Sequence, residues 1–190
     1  MNQDLLKEII HRSRNNDADA FRRLVEGHYS FVFSLSFRLL CNHDDAKDAA
    51  QETFIRVWKH LTRYDDRVKF TTWLYKIAVN ICYDRLKSMK RNSNHMAGSA
   101  EIQQLLVQPS ADNPENTLIN NDLAQIVRFF TDSLTPKQKL VFTLSDLEQM
   151  EVNEIKEITG LSPAKIKSNL YLARKFIREK LEEEEKYGTV

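Results

Sequence analysis

The chain has 190 residues with 42% hydrophobic content, enough for one folded domain or two small ones. Its 28 basic and 27 acidic residues give a net charge of +1, which excludes a protein that binds nucleic acid through bulk charge; any such contact must come from local patches. Only four glycines and four prolines are present, which weighs against a β-sandwich or barrel and predicts an all-α fold.

The N-terminal segment MNQDLLKEII has no basic stretch followed by an apolar one, and no run approaches the roughly 20 apolar residues of a membrane span. We therefore expect a cytoplasmic protein without membrane insertion. Cys41 and Cys82 lie far apart in predicted helices and lack the spacing of a metal site or a secreted disulfide. They predict reduced thiols in a hydrophobic core, and we expect neither a metal nor a cofactor.

A helical bundle is predicted from Asp4 to about Met89, where apolar residues recur at helical spacing. Within it, the segment from Asp44 to Leu61 forms an amphipathic helix. Its apolar face consists of Ala50, Phe54, Val57 and Leu61. The opposite face leaves Asp48, Gln51, Glu52 and Lys59 for solvent or a partner.

A polar loop, TRYDDRVK, precedes a second amphipathic helix that begins at Phe70. Leu74, Ile77, Ala78 and Ile81 face inward, and an outward stripe carries Lys76, Asn80, Asp84 and Lys87. Single-stranded nucleic acid needs aromatic side chains that stack on bases and cations that meet phosphates. This loop and stripe are typical of such a surface, although an exposed polar stripe without function explains the helix equally well.

Periodicity lapses in RNSNHMAGSAEIQQLLVQPSADNP, which is rich in asparagine, serine, glutamine and alanine. The sequence thus predicts two small helical domains, residues 1–91 and 114–190, joined by a flexible linker at 92–113. In the second domain, Thr135 and Pro136 suit the N-cap and first position of a helix.

The segment from Val152 to Ile177 has the pattern of a helix-turn-helix. Val152, Ile155 and Ile158 form one inner face, Gly160 suits the positive φ that ends the helix, and Ser162 with Pro163 starts the next. The second helix buries Ile166, Leu170, Ala173 and Ile177. Its other face is basic with short polar groups, and carries Lys165, Lys167, Ser168, Tyr171, Arg174 and Lys175. That face suits the major groove of DNA, although a solvated surface helix would also fit.

Together these segments resemble the extracytoplasmic-function sigma factors of the sigma-70 family. The resemblance rests on Gln51-Glu52-Thr53-Phe54, on Phe70-x-x-Trp73-Leu74-x-x-Ile77-Ala78-x-Asn80-x-x-x-Asp84, on Leu134-Thr135-Pro136, and on Ile166-Lys167-Ser168-x-Leu170-x-x-Ala173-Arg174. It spans nearly the whole chain in the family's order.

The resemblance implies three activities and no catalysis. Asp48, Gln51 and Glu52 would bind core RNA polymerase. Tyr64, Asp65, Phe70, Lys76, Asn80 and Asp84 would melt and bind the minus-ten promoter box. Lys139, Lys165, Lys167, Ser168, Tyr171, Arg174 and Lys175 would bind the minus-thirty-five box. Family members are commonly inhibited by an anti-sigma factor, so the resemblance implies that partner as well.

The chain departs from the family pattern in its second domain. Lys156 replaces a small alanine, Asn169 and Leu172 replace arginines, and Gln149-Met150-Glu151 lacks a frequent glycine. We therefore expect a different promoter preference with the fold retained.

The sequence also contains features of two other classes of protein. His43-Asp44 is a pair found in metal phosphohydrolases, but His11, His28, His60 and His95 have no matching spacing. A helix-turn-helix regulator that binds duplex DNA as a dimer is the alternative, and it would leave the aromatic loop and the Gln51-Glu52 helix without a purpose. Trp58 and Trp73 are expected in the core rather than on DNA.

Overall fold

The computed structural model describes residues 3–95 and 126–187, and all the regular secondary structure in these two ranges is helical. The first domain contains α1 (Gln3–Arg14), α2 (Ala18–Glu26), α3 (Tyr29–Leu40), α4 (His43–His60), a short 3₁₀ turn (Leu61–Arg63) and α5 (Phe70–His95). The second contains α6 (residues 126–131), α7 (Pro136–Phe142), a π-helical turn (Thr143–Leu147), α8 (Val152–Thr159) and α9 (Pro163–Tyr187). The all-α prediction is confirmed. Within the described ranges, no helix has the length and apolar character to cross a membrane.

Short polar residues set the helix ends of the first domain. The Asp17 carboxylate accepts hydrogen bonds from the backbone N–H groups of Asp19 and Ala20, at 3.1 and 3.0 Å, and so caps α2. The preceding residue, Asn16, has a φ of 62°, a conformation that asparagine tolerates better than most residues. Asn42 caps α4 in the same way, accepting from the Asp45 N–H at 3.0 Å.

The predicted helix ends of the second domain are confirmed. Thr135 and Gln138 form a reciprocal capping box at the start of α7, with Pro136 at the first helical position. Gly160 ends α8 with a φ of 71°, a left-handed conformation that strains any residue with a Cβ. The turn between α8 and α9 is therefore fixed by local chemistry.

Each domain has a core of fully buried aliphatic side chains. In the first domain it is built from Leu24, Leu35, Leu39, Val57, Leu74 and Ile81. In the second it is built from Val141, Leu144, Ile155, Ile158, Ile166 and Ala173. Burial of one such large side chain stabilises a fold by about 1.5 to 3 kcal/mol. Both cysteines lie in the core as free thiols, as predicted, and burial raises the pKa of Cys82 to about 11.

The two cores are continuous, because α7 and α8 pack against α5. Polar contacts join the domains at the edge of this interface. Glu148, after the π-helical turn, accepts hydrogen bonds from Tyr75 at 3.1 Å and from Arg38. Arg128 of α6 donates to the carbonyl of Cys41 at 2.7 Å. The domains are thus in direct contact in this structure.

The end of α5 lies beyond the predicted boundary of the first domain. The helix continues to His95, so residues 92–95 of the predicted linker are helical. The rest of that linker, and residues 114–125 of the predicted second domain, lie outside the described residues.

Candidate nucleic-acid and polymerase interfaces

The outer face of α4 carries the three residues predicted to bind polymerase. Asp48 and Gln51 are exposed and Glu52 is partly exposed, whereas Ala49, Ala50, Thr53, Phe54 and Val57 are buried on the opposite side. Residues three or four positions apart share a helix face, so the structure brings the three predicted side chains together. Among the described residues, Asp48 makes no ion pair or side-chain hydrogen bond.

Glu52 differs from its neighbours because arginines already hold its carboxylate. Arg56, one turn later on α4, donates to it, and an Arg85 nitrogen of α5 lies 3.5 Å away. Arg85 also donates to the Asp45 carbonyl at 3.2 Å. Glu52 therefore helps to join α4 to α5 and is less available to a partner than Asp48. Arg85 was not predicted at this site, because no local sequence pattern links it to Glu52.

Two apolar side chains extend the exposed face of α4. Ile55 is 54% exposed and lies two turns after Asp48. Trp58 packs the edge of its ring against Phe21, with centroids 4.7 Å apart, and leaves 38% of its surface exposed. Trp58 is thus only partly a core residue, contrary to expectation, and the face offers apolar as well as acidic groups.

Two residues predicted to contact the minus-ten box, Tyr64 and Phe70, are buried at the α4–α5 loop, so these two predictions are wrong. Tyr64 is 8% exposed; its ring packs against Phe70 and Trp73 at centroid distances of 5.6 and 5.2 Å, and its hydroxyl donates to the Val68 carbonyl at 2.5 Å. Phe70 is 3% exposed. Both rings lie in the core beneath the loop, because burying their apolar surface is more favourable than leaving it in water. Neither presents a face on which a base could stack.

Asp65 remains at the surface of this loop, held in a local turn. Its carboxylate accepts from the Arg67 backbone N–H at 3.0 Å and from the Arg67 guanidinium at 2.6 Å. These hydrogen bonds lower the pKa of Asp65 to about 2. Arg67 and Val68 themselves are exposed, and the sequence analysis assigned neither to DNA.

The predicted polar stripe of α5 is present at the surface. Lys76, Asn80 and Asp84 are all exposed, one helical turn apart. Asp84 pairs with Lys87 at 2.8 Å. Asn80 also lines a cavity of about 50 Å³ with Tyr83 and with Thr159 and Leu161 of the second domain. The second domain therefore lies beside the stripe.

Helix α9 presents the predicted reading face of the helix-turn-helix. Ile166, Leu170 and Ala173 are buried against the rest of the domain, as the sequence predicts. Six predicted DNA contacts are exposed on the helix: Lys165, Lys167, Ser168, Tyr171, Arg174 and Lys175. Tyr171 is 68% exposed, an unusual position for a large aromatic side chain. Lys175 has an acidic neighbour, Glu179, at 3.8 Å.

Two predicted phosphate contacts are engaged within the protein. Arg174 makes a forked ion pair with Asp146 of the π-helical turn, at 2.9 and 3.1 Å, so it would have to leave that carboxylate to reach a phosphate. Lys139 is 5% exposed, with its ammonium 3.8 Å from Asp132. The assignment of Lys139 to DNA is corrected, because its amine points into the protein and not to solvent.

Comparison with known families matches both domains of the chain. The model "Sigma-70 region 2" matches residues 24–92, and the model "Sigma-70, region 4" matches residues 125–177. The two matches together cover well over half of the chain. They coincide with the domains that carry the α5 stripe and the helix-turn-helix.

Curated relatives and solved structures point to the same family as these two matches. The chain is 29% identical over 181 residues to the ECF RNA polymerase sigma factor SigW of Bacillus subtilis, covering 93% of this chain and 97% of that protein. In fold it resembles CnrH bound to the cytosolic domain of CnrY, with a TM-score of 0.64, 18% identity, and 94% of this chain and 97% of that chain covered. It also resembles the sigma factor RpoE bound to the anti-sigma factor NepR from Bartonella quintana, with a TM-score of 0.61, 20% identity, and coverage of 85% and 96%. The chain belongs to the extracytoplasmic-function group of the sigma-70 family.

Proposed function

We propose that this chain directs core RNA polymerase to specific promoters, helps to melt the minus-ten box, and has no catalytic activity of its own. The observation that carries the proposal is that this member of the sigma-70 family has two exposed polar faces on separate domains: the polar stripe of α5 and the basic face of α9. Such a protein acts where the polymerase transcribes, in the cytoplasm.

Polymerase binding is proposed for the outer face of α4. Asp48 and Gln51 offer a carboxylate and an amide that have no side-chain partner among the described residues, and Ile55 adds exposed apolar surface beside them. Protein interfaces combine such an apolar centre with polar groups at the rim. Glu52 contributes negative charge to the same face while it remains paired with Arg56 and Arg85.

Minus-ten binding is proposed for the α4–α5 loop and the α5 stripe. Asp65 offers carboxylate acceptors at the surface of the loop, and Lys76, Asn80 and Asp84 offer a cation, an amide and a carboxylate along α5. The buried rings of Tyr64 and Phe70 and the partly buried ring of Trp73 form the floor that shapes the loop. An unpaired base has free hydrogen-bonding edges, which such polar groups can read.

Minus-thirty-five binding is proposed for α9. Ser168 and Tyr171 face the groove and read base edges, while Lys165, Lys167 and Lys175 lie beside them and meet phosphates. Arg174 joins the phosphate contacts by exchanging Asp146 for the DNA backbone.

Binding of both promoter boxes requires the two domains to separate. The proposed modules span residues 1–91 and 114–190, and in this structure α7 and α8 pack on α5, beside the stripe that would bind the minus-ten strand. Two turns of duplex span roughly 70 Å. The chain between residues 95 and 126 could reach on the order of 100 Å when extended, which is sufficient. An anti-sigma factor that favours the packed arrangement would inhibit the protein, as we propose by analogy with the RpoE–NepR complex.

Run-off transcription tests the proposal. Core polymerase is incubated with genomic fragments, with and without the protein, and transcripts are mapped. We expect new transcripts with fixed start sites, and an asymmetric footprint that depends on polymerase. A symmetric footprint from the protein alone, without new transcripts, would instead establish the dimeric regulator.

A further inference from the structure

Arg14, at the C-terminal end of α1, reaches into the α4–α5 loop. Its guanidinium donates to the Leu61 carbonyl at 3.2 Å and to the Tyr64 carbonyl at 2.5 Å. It also makes a forked ion pair with Asp66, at 3.0 and 3.1 Å, and its central carbon lies 5.4 Å from the Tyr64 ring centre. One side chain thus contacts three successive parts of the loop.

The chemistry of arginine suits this arrangement. A guanidinium is planar and carries five N–H donors in a fixed fork, so it can satisfy two carbonyls and a carboxylate at once. The carbonyl of Leu61 lies at the end of α4 and already accepts the Tyr64 backbone N–H at 3.2 Å, so Arg14 adds a second hydrogen bond to it. Only 23% of the Arg14 side chain is exposed, which limits competition from water. A lysine at this position would keep the charge and the stem but could not form the fork.

Arg14 does not contact the solvent-facing part of the loop. The Asp65 carboxylate points to solvent with Arg67, and Val68 is exposed beside it. The Tyr64 ring packs against Phe70 and Trp73, and the Arg14 guanidinium lies over it. Arg14 therefore acts on the side of the loop that faces α1, and four of its five N–H donors are used in these contacts.

We propose that Arg14 is a positioning residue that holds residues 61–66 in the shape in which the loop selects an unpaired minus-ten base. The inference rests on the proposed function of the loop. Without the fork, the loop is free to sample other shapes. Discrimination between bases then falls more than the overall affinity for the DNA strand, because the cations of the α5 stripe bind the strand regardless of its sequence.

The test uses holoenzyme assembled from core polymerase and each variant, with a promoter found by run-off transcription. Fork-junction DNA carries the minus-ten box as a single strand, and each of its positions is changed in turn to the other three bases. The measured quantity is the ratio of Kd values for the changed and the promoter strand. The variants are Arg14→Ala and Arg14→Lys, with Arg22→Ala as a control, because Arg22 is exposed and pairs weakly with Asp19 at 3.8 Å.

We expect both Arg14 variants to lower base selection at one minus-ten position by at least about fivefold, since a base contact contributes about 1 to 3 kcal/mol. Arg14→Lys should do so without loss of thermal stability or core-polymerase binding, and Arg22→Ala should match wild type. Unchanged selection in Arg14→Lys would overturn the inference, and so would a loss spread evenly over all positions. Wild-type protein that gives no promoter-specific transcript would refute the proposed function instead.

Discussion

The Tyr75 hydroxyl of α5 donates a hydrogen bond of 3.1 Å to the carboxylate of Glu148, which lies in the second domain. Burial is the main reason that the pKa of Tyr75 is raised, and the negative charge of Glu148 raises it further. The phenol therefore stays protonated, and remains a donor, at any physiological pH. Arg38 donates to the same carboxylate, so one side chain joins the second domain to two helices of the first.

Replacing this carboxylate should loosen the contact between the domains. Glu148→Ala removes the acceptor shared by Tyr75 and Arg38, and an unpaired, largely buried donor costs about 1 to 3 kcal/mol. We expect a larger radius of gyration in solution scattering and a lower melting temperature. Glu157→Ala, on the exposed face of α8, is the matched control. If both variants keep the wild-type radius and melting temperature, Glu148 does not hold the domains together.

The carboxyl of Asp65 should titrate well below the ordinary range. Its folded pKa of about 2 lies below the usual 3.8, so the turn with Arg67 is fully formed above pH 3.8 and is lost as pH falls through about 2. NMR titration of the carboxyl carbon should show a midpoint near 2. Arg67→Ala should raise that midpoint toward the ordinary value, whereas Arg22→Ala should leave it unchanged. An equal midpoint in Arg67→Ala would contradict the assigned turn.

Local sequence patterns predicted most of the fold. The N-cap at Thr135 and the left-handed Gly160 depend on residues within four positions of each other. Helical periodicity likewise predicted the buried residues of α4 and most of those of α9, where Ile177 is only partly buried. These features follow from short-range geometry and burial, which a sequence carries directly.

Contacts between distant parts of the chain were not predicted. Arg38 and Glu148 are 110 positions apart, and Arg14 and Tyr64 are 50 apart, so no periodic pattern links either pair. The same cause explains the errors. Tyr64 and Lys139 carry groups typical of DNA contacts, yet packing against Trp73 and pairing with Asp132 turn them inward. A residue type indicates chemistry, whereas tertiary packing decides whether it is accessible.

Substitutions on the outer face of α4 should separate an effect on polymerase binding from an effect on stability. Asp48→Lys reverses a charge that has no partner within the described residues, and exposed substitutions shift stability by less than about 0.5 kcal/mol. We expect weaker binding to core polymerase at an unchanged melting temperature. Glu52→Lys should weaken binding too, but should also lower the melting temperature, because it places a third cation beside Arg56 and Arg85. Wild-type polymerase affinity in Asp48→Lys would count against this face.

Substitutions on the proposed DNA-binding face of α9 should distinguish residues that contact bases from residues that contact phosphates. Ser168 and Tyr171 are exposed toward the proposed groove, so Ser168→Ala and Tyr171→Ala should relax sequence preference, each by about 1 to 3 kcal/mol. The measurement is the ratio of Kd values for promoter and scrambled duplex. As a control, Leu170→Ala should act through the fold and lower the melting temperature, because truncation of a buried leucine costs roughly 2 to 5 kcal/mol.

Arg174 should act on affinity for all sequences alike. Because it pairs with Asp146 in the free protein, a phosphate contact must first break that ion pair. Arg174→Ala should weaken binding to promoter and scrambled DNA equally and reduce the slope of log K against log salt by about one. Asp146→Ala frees the guanidinium and should strengthen binding to both DNAs. If Arg174→Ala instead changes the promoter-to-scrambled ratio while Ser168→Ala and Tyr171→Ala leave it unchanged, then the proposed orientation of α9 in the groove is wrong.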